Sequence, residues 1–126
     1  MACGYAAAVM RTESFCRSRA LRDQWYVVAD AADIGAVPVG VTLLGHRYVV
    51  WRGTDGVVTA APDRCPHREA PLSLGHVHGG CLVCPYHAWK FASDGACVDI
   101  PSSGAGAPIA PPTVRAPVYF GRSVRA

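Results

Sequence analysis

Short apolar runs, separated by Gly, Pro or Asp, dominate the chain from Trp25 onward. The segments "WYVVA", "VTLLG", "RYVVWR" and "VVTAAP" are rich in Val, Tyr, Trp and Leu, and each has the length of a strand. No segment of residues 25–126 keeps a helical period over three turns. The pattern therefore predicts an all-β fold made of small antiparallel sheets.

Two segments carry turn signals between strands. The sequence "RYVVWRGTDGVVTAAP" places Gly-Thr-Asp-Gly between two apolar runs, and "KFASDGACVDIP" has Asp94 and Gly95 at its bend. Because glycine adopts positive φ without strain, both segments predict β-hairpins. The segment "TVRAPVYF" near the C-terminus is a further candidate strand.

The first 22 residues differ from the rest. They are rich in Ala and Arg, with Glu13 as their one acidic residue, and "SFCRSRALRD" allows an irregular helical turn. We expect a leader over residues 1–22 that is poorly ordered or forms a short helix, and one domain over residues 23–126. The leader composition is compatible with an organellar transit peptide, but a cytoplasmic leader is the preferred interpretation.

Composition narrows the classes of partner and compartment. The net charge of the 126 residues is +3, too small to indicate nucleic-acid binding. No apolar run approaches the roughly 20 residues of a membrane helix, and no export signal precedes the domain. Six cysteines without an export signal point to metal binding in a reducing compartment, and we expect the cytoplasm.

Two Cys/His pairs are the candidate chemistry. Cys65-x-His67 is followed, after 16 residues, by Cys84-x-x-His87. Such spacing lets one loop supply two metal ligands. Two Cys and two His can hold zinc, and they can also hold a Rieske [2Fe–2S] centre, in which Cys₂ binds one iron and His₂ the other. Cys81 offers a rival Cys₃His zinc site with Cys65, His67 and Cys84, so the ligand count leaves both kinds of site open.

The residues around the pairs favour a redox cluster. Pro66 and Pro85 each follow a cysteine and stiffen the loop. Nearby glycines permit tight paths, and nearby apolar side chains are expected to shield a cluster from water. The glycines are Gly75, Gly79 and Gly80, and the apolar side chains are Leu72, Leu74, Val83, Tyr86, Trp89 and Phe91. His76 and His78 lie between the loops and are expected to be structural or solvated.

The segment "CPHREAPLSLGHVHGGCLVCPYHAWKFASDGACVDIPS" resembles the Rieske domain of the Rieske non-haem iron oxygenases, the ring-hydroxylating and demethylating family. The resemblance spans about residues 22–119 and includes "WYVVADAADI" and "RYVVWRGTDG". It implies a Rieske-type fold with two ligand loops at hairpin tips and one [2Fe–2S] cluster per chain. Carried over by position, Cys65 and Cys84 would bind one iron, and His67 and His87 the other.

Two departures from relatives carry information. High-potential Rieske proteins have a further cysteine in each loop, where this chain has Ala70 and Tyr86. The resemblance therefore implies the oxygenase or ferredoxin type, toward the low end of roughly −150 to +300 mV. A catalytic mononuclear iron needs two His and one carboxylate, the facial triad. No such motif is formed by the remaining histidines, His46, His76 and His78. We therefore expect that the catalytic mononuclear-iron domain is absent and that the chain cannot oxygenate a substrate alone.

The resemblance implies an electron-transfer module that takes single electrons from a reductase or ferredoxin and passes them to an oxygenase catalytic domain or subunit. Three alternatives stay open: a free-standing Rieske ferredoxin, a truncated oxygenase, and a zinc-stabilised β module without redox activity. We expect neither nucleic acid nor a membrane as partner.

Overall fold

The computed structural model describes residues 6–11, 19–22, 24–106, 119–120 and 122–125. Strands predominate in these residues, and their one α-helix, α1, is the single turn Arg19–Arg22. The strands form three small sheets in which every pairing is antiparallel. The predicted all-β fold is confirmed.

The first sheet joins strands from the two ends of the chain. Its order is β11-β1-β2, where β1 is Ala6–Arg11, β2 is Trp25–Asp30 and β11 is Arg122–Arg125. Strand β1 lies inside the predicted leader, where we expected poor order or a short helix. It is a strand because β2 and β11 supply hydrogen-bonding partners on both of its sides.

The structure describes only parts of the predicted leader and of the last candidate strand. The turn α1 lies within the segment predicted to be helical. Residues 1–5, 12–18 and most of the candidate strand "TVRAPVYF" lie outside the described residues, which include only Tyr119–Phe120 of that segment, as β10. The domain boundary between residues 22 and 23 stays a prediction.

The second sheet contains the predicted hairpin and has the order β10-β5-β4-β3. Its remaining strands are β3 (Val39–Leu43), β4 (His46–Arg52) and β5 (Val58–Pro62). The Gly53 N–H donates to the Val57 carbonyl (2.9 Å), and Gly56 has a φ of +76°, so the turn forms as predicted.

The third sheet has the order β6-β7-β8-β9, and its strands β7 and β8 flank the second Cys/His pair in sequence. Its strands are β6 (His76–His78), β7 (Cys81–Val83), β8 (Lys90–Phe91) and β9 (Cys97–Asp99). Gly95, at φ +80°, turns the predicted β8–β9 hairpin. Strand β6 was not predicted, because a run of only three residues with histidines at both ends carries little strand signal.

Strand β4 separates two hydrophobic cores. Side chains alternate across a strand, and here both faces are covered, so "YVVW" is apolar throughout. Tyr48 and Val50 pack in one core with Ile34, whereas Val49 and Trp51 pack in the other. The second of these cores also contains Cys65 and Cys84, and we call it the cysteine core; its other buried members are Ala61, Leu72, Leu82 and Phe91.

Among the described residues, no helix has the length and apolar character required to cross a membrane.

Candidate metal centre

The first Cys/His pair lies in a tight loop after β5. The Cys65 N–H donates to the Ala70 carbonyl (2.8 Å), and the Glu69 N–H donates to the Cys65 carbonyl (2.7 Å). Glu69 adopts a left-handed conformation at φ 59°, which costs a non-glycine residue about 1 kcal/mol. The chain thereby reverses within a few residues, and one short loop presents both Cys65 and His67.

The second pair lies in a loop of the same construction between β7 and β8. The Cys84 N–H donates to the Trp89 carbonyl (2.9 Å), the Ala88 N–H donates to the Cys84 carbonyl (3.1 Å), and Ala88 has a φ of 58°. Each cysteine therefore occupies the same position in its loop. The histidine follows two residues later in the first loop and three residues later in the second.

The bases of the two loops differ. The second loop is the tip of the β7–β8 hairpin, with Val83 paired to Lys90 at its base. The first loop connects β5 to β6, which belong to different sheets, and so departs from the expected hairpin tip. The sequence indicates where a loop lies, but pairing between distant strands depends on the whole fold.

The loops assemble the four predicted residues as a thiol pair and an imidazole pair. Cys65 and Cys84 are buried, at 1% and 3% exposure, and their thiols interact. His67 and His87 are exposed, with ring centroids 4.8 Å apart and planes inclined by 59°. Sulfur donors thus lie in the interior, and nitrogen donors lie at the surface.

Two aromatic rings contact the imidazoles. Trp89 stacks on His67 with centroids 4.3 Å apart and planes inclined by 7°, and Tyr86 lies 3.8 Å from His87. Because Trp89 follows the second loop and His67 belongs to the first, the stack links the two loops. The sequence indicated Trp89 as cover for a cluster but not this partner.

The pKa values of two candidate ligands depart from their usual range. Burial raises the pKa of Cys65 to about 11. The Cys84 thiol adds to this rise, whereas backbone N–H groups of His67 and Arg68 oppose it. Metal binding at Cys65 therefore requires loss of a proton. Desolvation, followed by the charges of His87 and Arg68, lowers the pKa of His67. This favours the neutral imidazole, the form that ligates metals.

The apolar cover is only partly as predicted. Leu72, Val83 and Phe91 are buried, and Trp89 is half-buried, as expected of a shield. Leu74 is 73% exposed, because positions two apart on the 3₁₀ turn Leu72–Leu74 point in different directions. Tyr86 is 65% exposed and covers His87 from the solvent side.

The remaining candidates lie away from the pairs. His76 and His78 are exposed on β6, as expected of solvated residues. Cys81 lies on β7, opposite His78, and is half-buried. The four cysteines in the described residues, Cys65, Cys81, Cys84 and Cys97, form no disulfide.

The arrangement fits a two-iron cluster better than zinc. Within the described part of the chain, no three His, Cys, Asp or Glu side chains are grouped to hold one metal ion. Four donors must surround a structural zinc ion, so the rival set with Cys81 is not assembled. A Rieske cluster instead requires one Cys pair and one His pair on two irons, which is the donor set present here.

Asp63 is a buried acid beside the first loop that the sequence did not single out. Its place two residues before Cys65 was the available signal. Its side chain contacts Arg47 and Ser73.

Known proteins match both the sequence and the fold. The family described as "Rieske [2Fe-2S] domain" matches residues 24–116. Pheophorbide a oxygenase of Oryza sativa subsp. japonica is 43% identical over 99 residues, and the oxygenase component of dicamba O-demethylase from Stenotrophomonas maltophilia is 44% identical over 88. The crystal structure of apo dicamba monooxygenase superposes with a TM-score of 0.67 at 38% identity.

These matches cover most of this chain but a minor part of each relative. They span 76% of this chain and 18% of the rice protein, 70% and 26% for the demethylase component, and 77% and 29% for the crystal structure. The match to residues 24–116, the identities above 30% and the thiol and imidazole pairs agree. The chain belongs to the Rieske [2Fe–2S] domain family, and its cofactor is a Rieske-type [2Fe–2S] cluster.

Proposed function

We propose that Cys65 and Cys84 bind one iron of the cluster as thiolates, and that His67 and His87 bind the other through imidazole nitrogens. The observation that carries this proposal is the pairing itself. Two buried thiols interact, and two exposed imidazoles lie 4.8 Å apart, each pair drawn from both loops.

The bound cluster supplies one-electron redox chemistry, and this chain's residues set its surroundings. The cysteine core excludes water from the thiol side. Backbone N–H groups of His67 and Arg68 face the Cys65 sulfur, and hydrogen bonds to sulfur favour the reduced, more negative state. The exposed imidazoles shorten the distance for electron transfer to a docked protein.

The chain in this proposal relays single electrons from a reductase or ferredoxin to the non-haem iron centre of an oxygenase catalytic domain or subunit. Support comes from relatives that are named as oxygenases or oxygenase components. A free-standing ferredoxin would use the same site, and transfer from the reduced chain to an added oxygenase would identify the acceptor. We propose a cytoplasmic location, because a reducing compartment keeps the thiols of Cys65 and Cys84 available as metal ligands.

The ligand assignment is tested by substitution and spectroscopy of the full chain. We expect red-brown protein with about two irons and two labile sulfides per chain, and an EPR signal on reduction whose average g lies below that of all-cysteine clusters. His87→Ala should abolish the colour, since one iron loses a ligand. His78→Ala, which removes an exposed histidine from β6, should retain it.

The cysteine ligands have a matched control as well. Cys84→Ala should abolish the cluster, whereas Cys81→Ala, three residues earlier on β7, should leave it intact. A colourless protein with one zinc per chain would contradict the assignment, and so would a Cys81→Ala variant without cluster.

A further inference from the structure

The Asp63 carboxylate is buried and accepts hydrogen bonds from two sides. One oxygen accepts from the Ser73 backbone N–H (2.7 Å). The other accepts from the Ser73 hydroxyl (2.6 Å) and from Arg47 Nη2 (3.2 Å) and Nε (3.4 Å). The Asp63 side chain is fully buried, whereas that of Arg47 is 61% exposed. In the sequence, Ser73 lies 10 positions after Asp63, and Arg47 lies 16 positions before it.

The contacts close the first ligand loop at its base. Asp63 precedes Cys65 by two residues, and Ser73 lies in the 3₁₀ turn that follows the loop. The Asp63 N–H also donates to the Arg47 carbonyl (3.1 Å), which fixes the backbone to β4. On β3, a Cβ at Gly40 would lie 2.8 Å from Arg47 Nη2 and 3.1 Å from the Ser73 side chain, so the absence of a side chain there leaves room for this contact.

The second ligand loop has no need of such a closure. Its flanking strands pair directly, with Leu82 opposite Phe91 and Val83 opposite Lys90. The first loop lacks this ladder because β5 and β6 lie in different sheets. A loop of the same backbone construction is thus closed by side chains in one case and by strand pairing in the other.

We propose that Asp63, with Ser73 and Arg47, is a positioning residue that holds the first ligand loop in register with the second. It replaces the missing strand pairing and sets where Cys65 and His67 meet Cys84 and His87. This inference rests on the proposed ligand assignment. Groups that orient metal ligands typically change metal affinity by about 10- to 100-fold when removed.

The test compares cluster loss among variants of the full chain. The readouts are the iron content, the rate at which visible absorption fades in the presence of a chelator, and the g values of the reduced cluster. Asp63→Asn keeps the size of the side chain but replaces one accepting oxygen with an NH₂ group, which cannot accept a hydrogen bond from Ser73 or Arg47. This variant should lose its cluster about 10- to 100-fold faster. Ser73→Ala should have a smaller effect, and Ser73→Thr, which keeps the hydroxyl, should restore native behaviour.

Two controls separate positioning from general stability. Asp99→Asn breaks the Lys90–Asp99 ion pair (2.9 Å) at a half-exposed site of the third sheet and should leave the cluster unchanged. Thr59→Val removes the buried hydrogen bond from the Thr59 hydroxyl to the Ser93 carbonyl (3.1 Å). It should lower the unfolding midpoint without shifting the g values.

The outcomes are distinct. A Ser73→Ala variant that loses its cluster faster than Thr59→Val at equal unfolding midpoint, with shifted g values, supports the proposal even if Asp63→Asn does not fold. Cluster loss equal to that of Thr59→Val, with unchanged g values, overturns it. A native chain that carries no cluster would instead refute the proposed function.

Discussion

At the scale of single residues, the two histidines have different neighbours although both are exposed. His67 is stacked almost parallel to Trp89, whereas His87 lies under the tilted ring of Tyr86. A parallel stack restricts rotation of an imidazole about its side-chain bonds. The indole therefore fixes the plane in which His67 presents a nitrogen, and it does so from the opposite loop.

Replacing Trp89 tests this effect. Trp89→Leu removes the stack, which is worth about 0.5–1.5 kcal/mol beyond its buried area, and should accelerate cluster loss roughly two- to tenfold. Trp89→Phe should behave closer to the native chain, since a ring remains. Trp25→Leu, at a half-exposed indole on β2, is the control. Equal rates for Trp89→Leu and Trp25→Leu would show that the stack does not hold the ligand.

At the scale of elements, the turn between β6 and β7 sets the third sheet against the second. Gly79 and Gly80 both have positive φ, 56° and 74°. A Cβ on Gly79 would lie in open space, whereas one on Gly80 would collide with the backbone and side chain of Thr54, in the β4–β5 turn. Gly79 is thus needed only for its backbone conformation, whereas Gly80 is also needed because a side chain would not fit.

Alanine substitutions at this turn should separate backbone strain from collision. Gly79→Ala should lower the free energy of unfolding by about 1 kcal/mol, the cost of left-handed alanine. Gly80→Ala should cost about 1–3 kcal/mol more, because the turn must move away from Thr54. Urea titration of both variants measures the difference. Equal costs would mean that the approach to Thr54 does not constrain the sheets.

At the scale of the whole molecule, the two cores share the second sheet but only one contains candidate ligands. The cysteine core packs on one face of β4 and includes Cys65 and Cys84. The core on the opposite face, around Ile34, contains neither cysteine nor histidine of the two pairs. Loss of the cluster should therefore destabilise the strands around the cysteine core more than the strands around Ile34.

Hydrogen exchange should reveal this division. After the cluster is removed with a chelator under reducing conditions, backbone amides of β7 and β8 should lose protection. Those of β3 and β4 should stay protected by the core around Ile34. The untreated chain is the control. A uniform loss of protection in all four strands would show that the cluster supports the fold as one cooperative unit.

The sequence predicted what is local and left open what depends on distant pairing. The hairpin at Gly56 and the bend at Gly95 follow from turn chemistry within a few residues, and the Cys/His spacing follows from loop geometry. Strand β1 depends on partners far away in the chain, and the Asp63–Ser73 contact depends on where a 3₁₀ turn packs. Neither residue type nor spacing predicts such long-range contacts, so the closure of the first loop could be recognised only in the fold.

The arrangement of buried thiols beneath exposed imidazoles has a kinetic consequence for the proposed relay. In that proposed relay, both partners would approach the face that exposes His67 and His87, so donor and acceptor would compete for the same contact and the chain would serve them in turn. Excess oxidised donor should then slow electron transfer to the acceptor. The rate at which the acceptor is reduced should pass through a maximum as the donor concentration rises. The turnover of such a carrier is limited by how quickly one partner leaves.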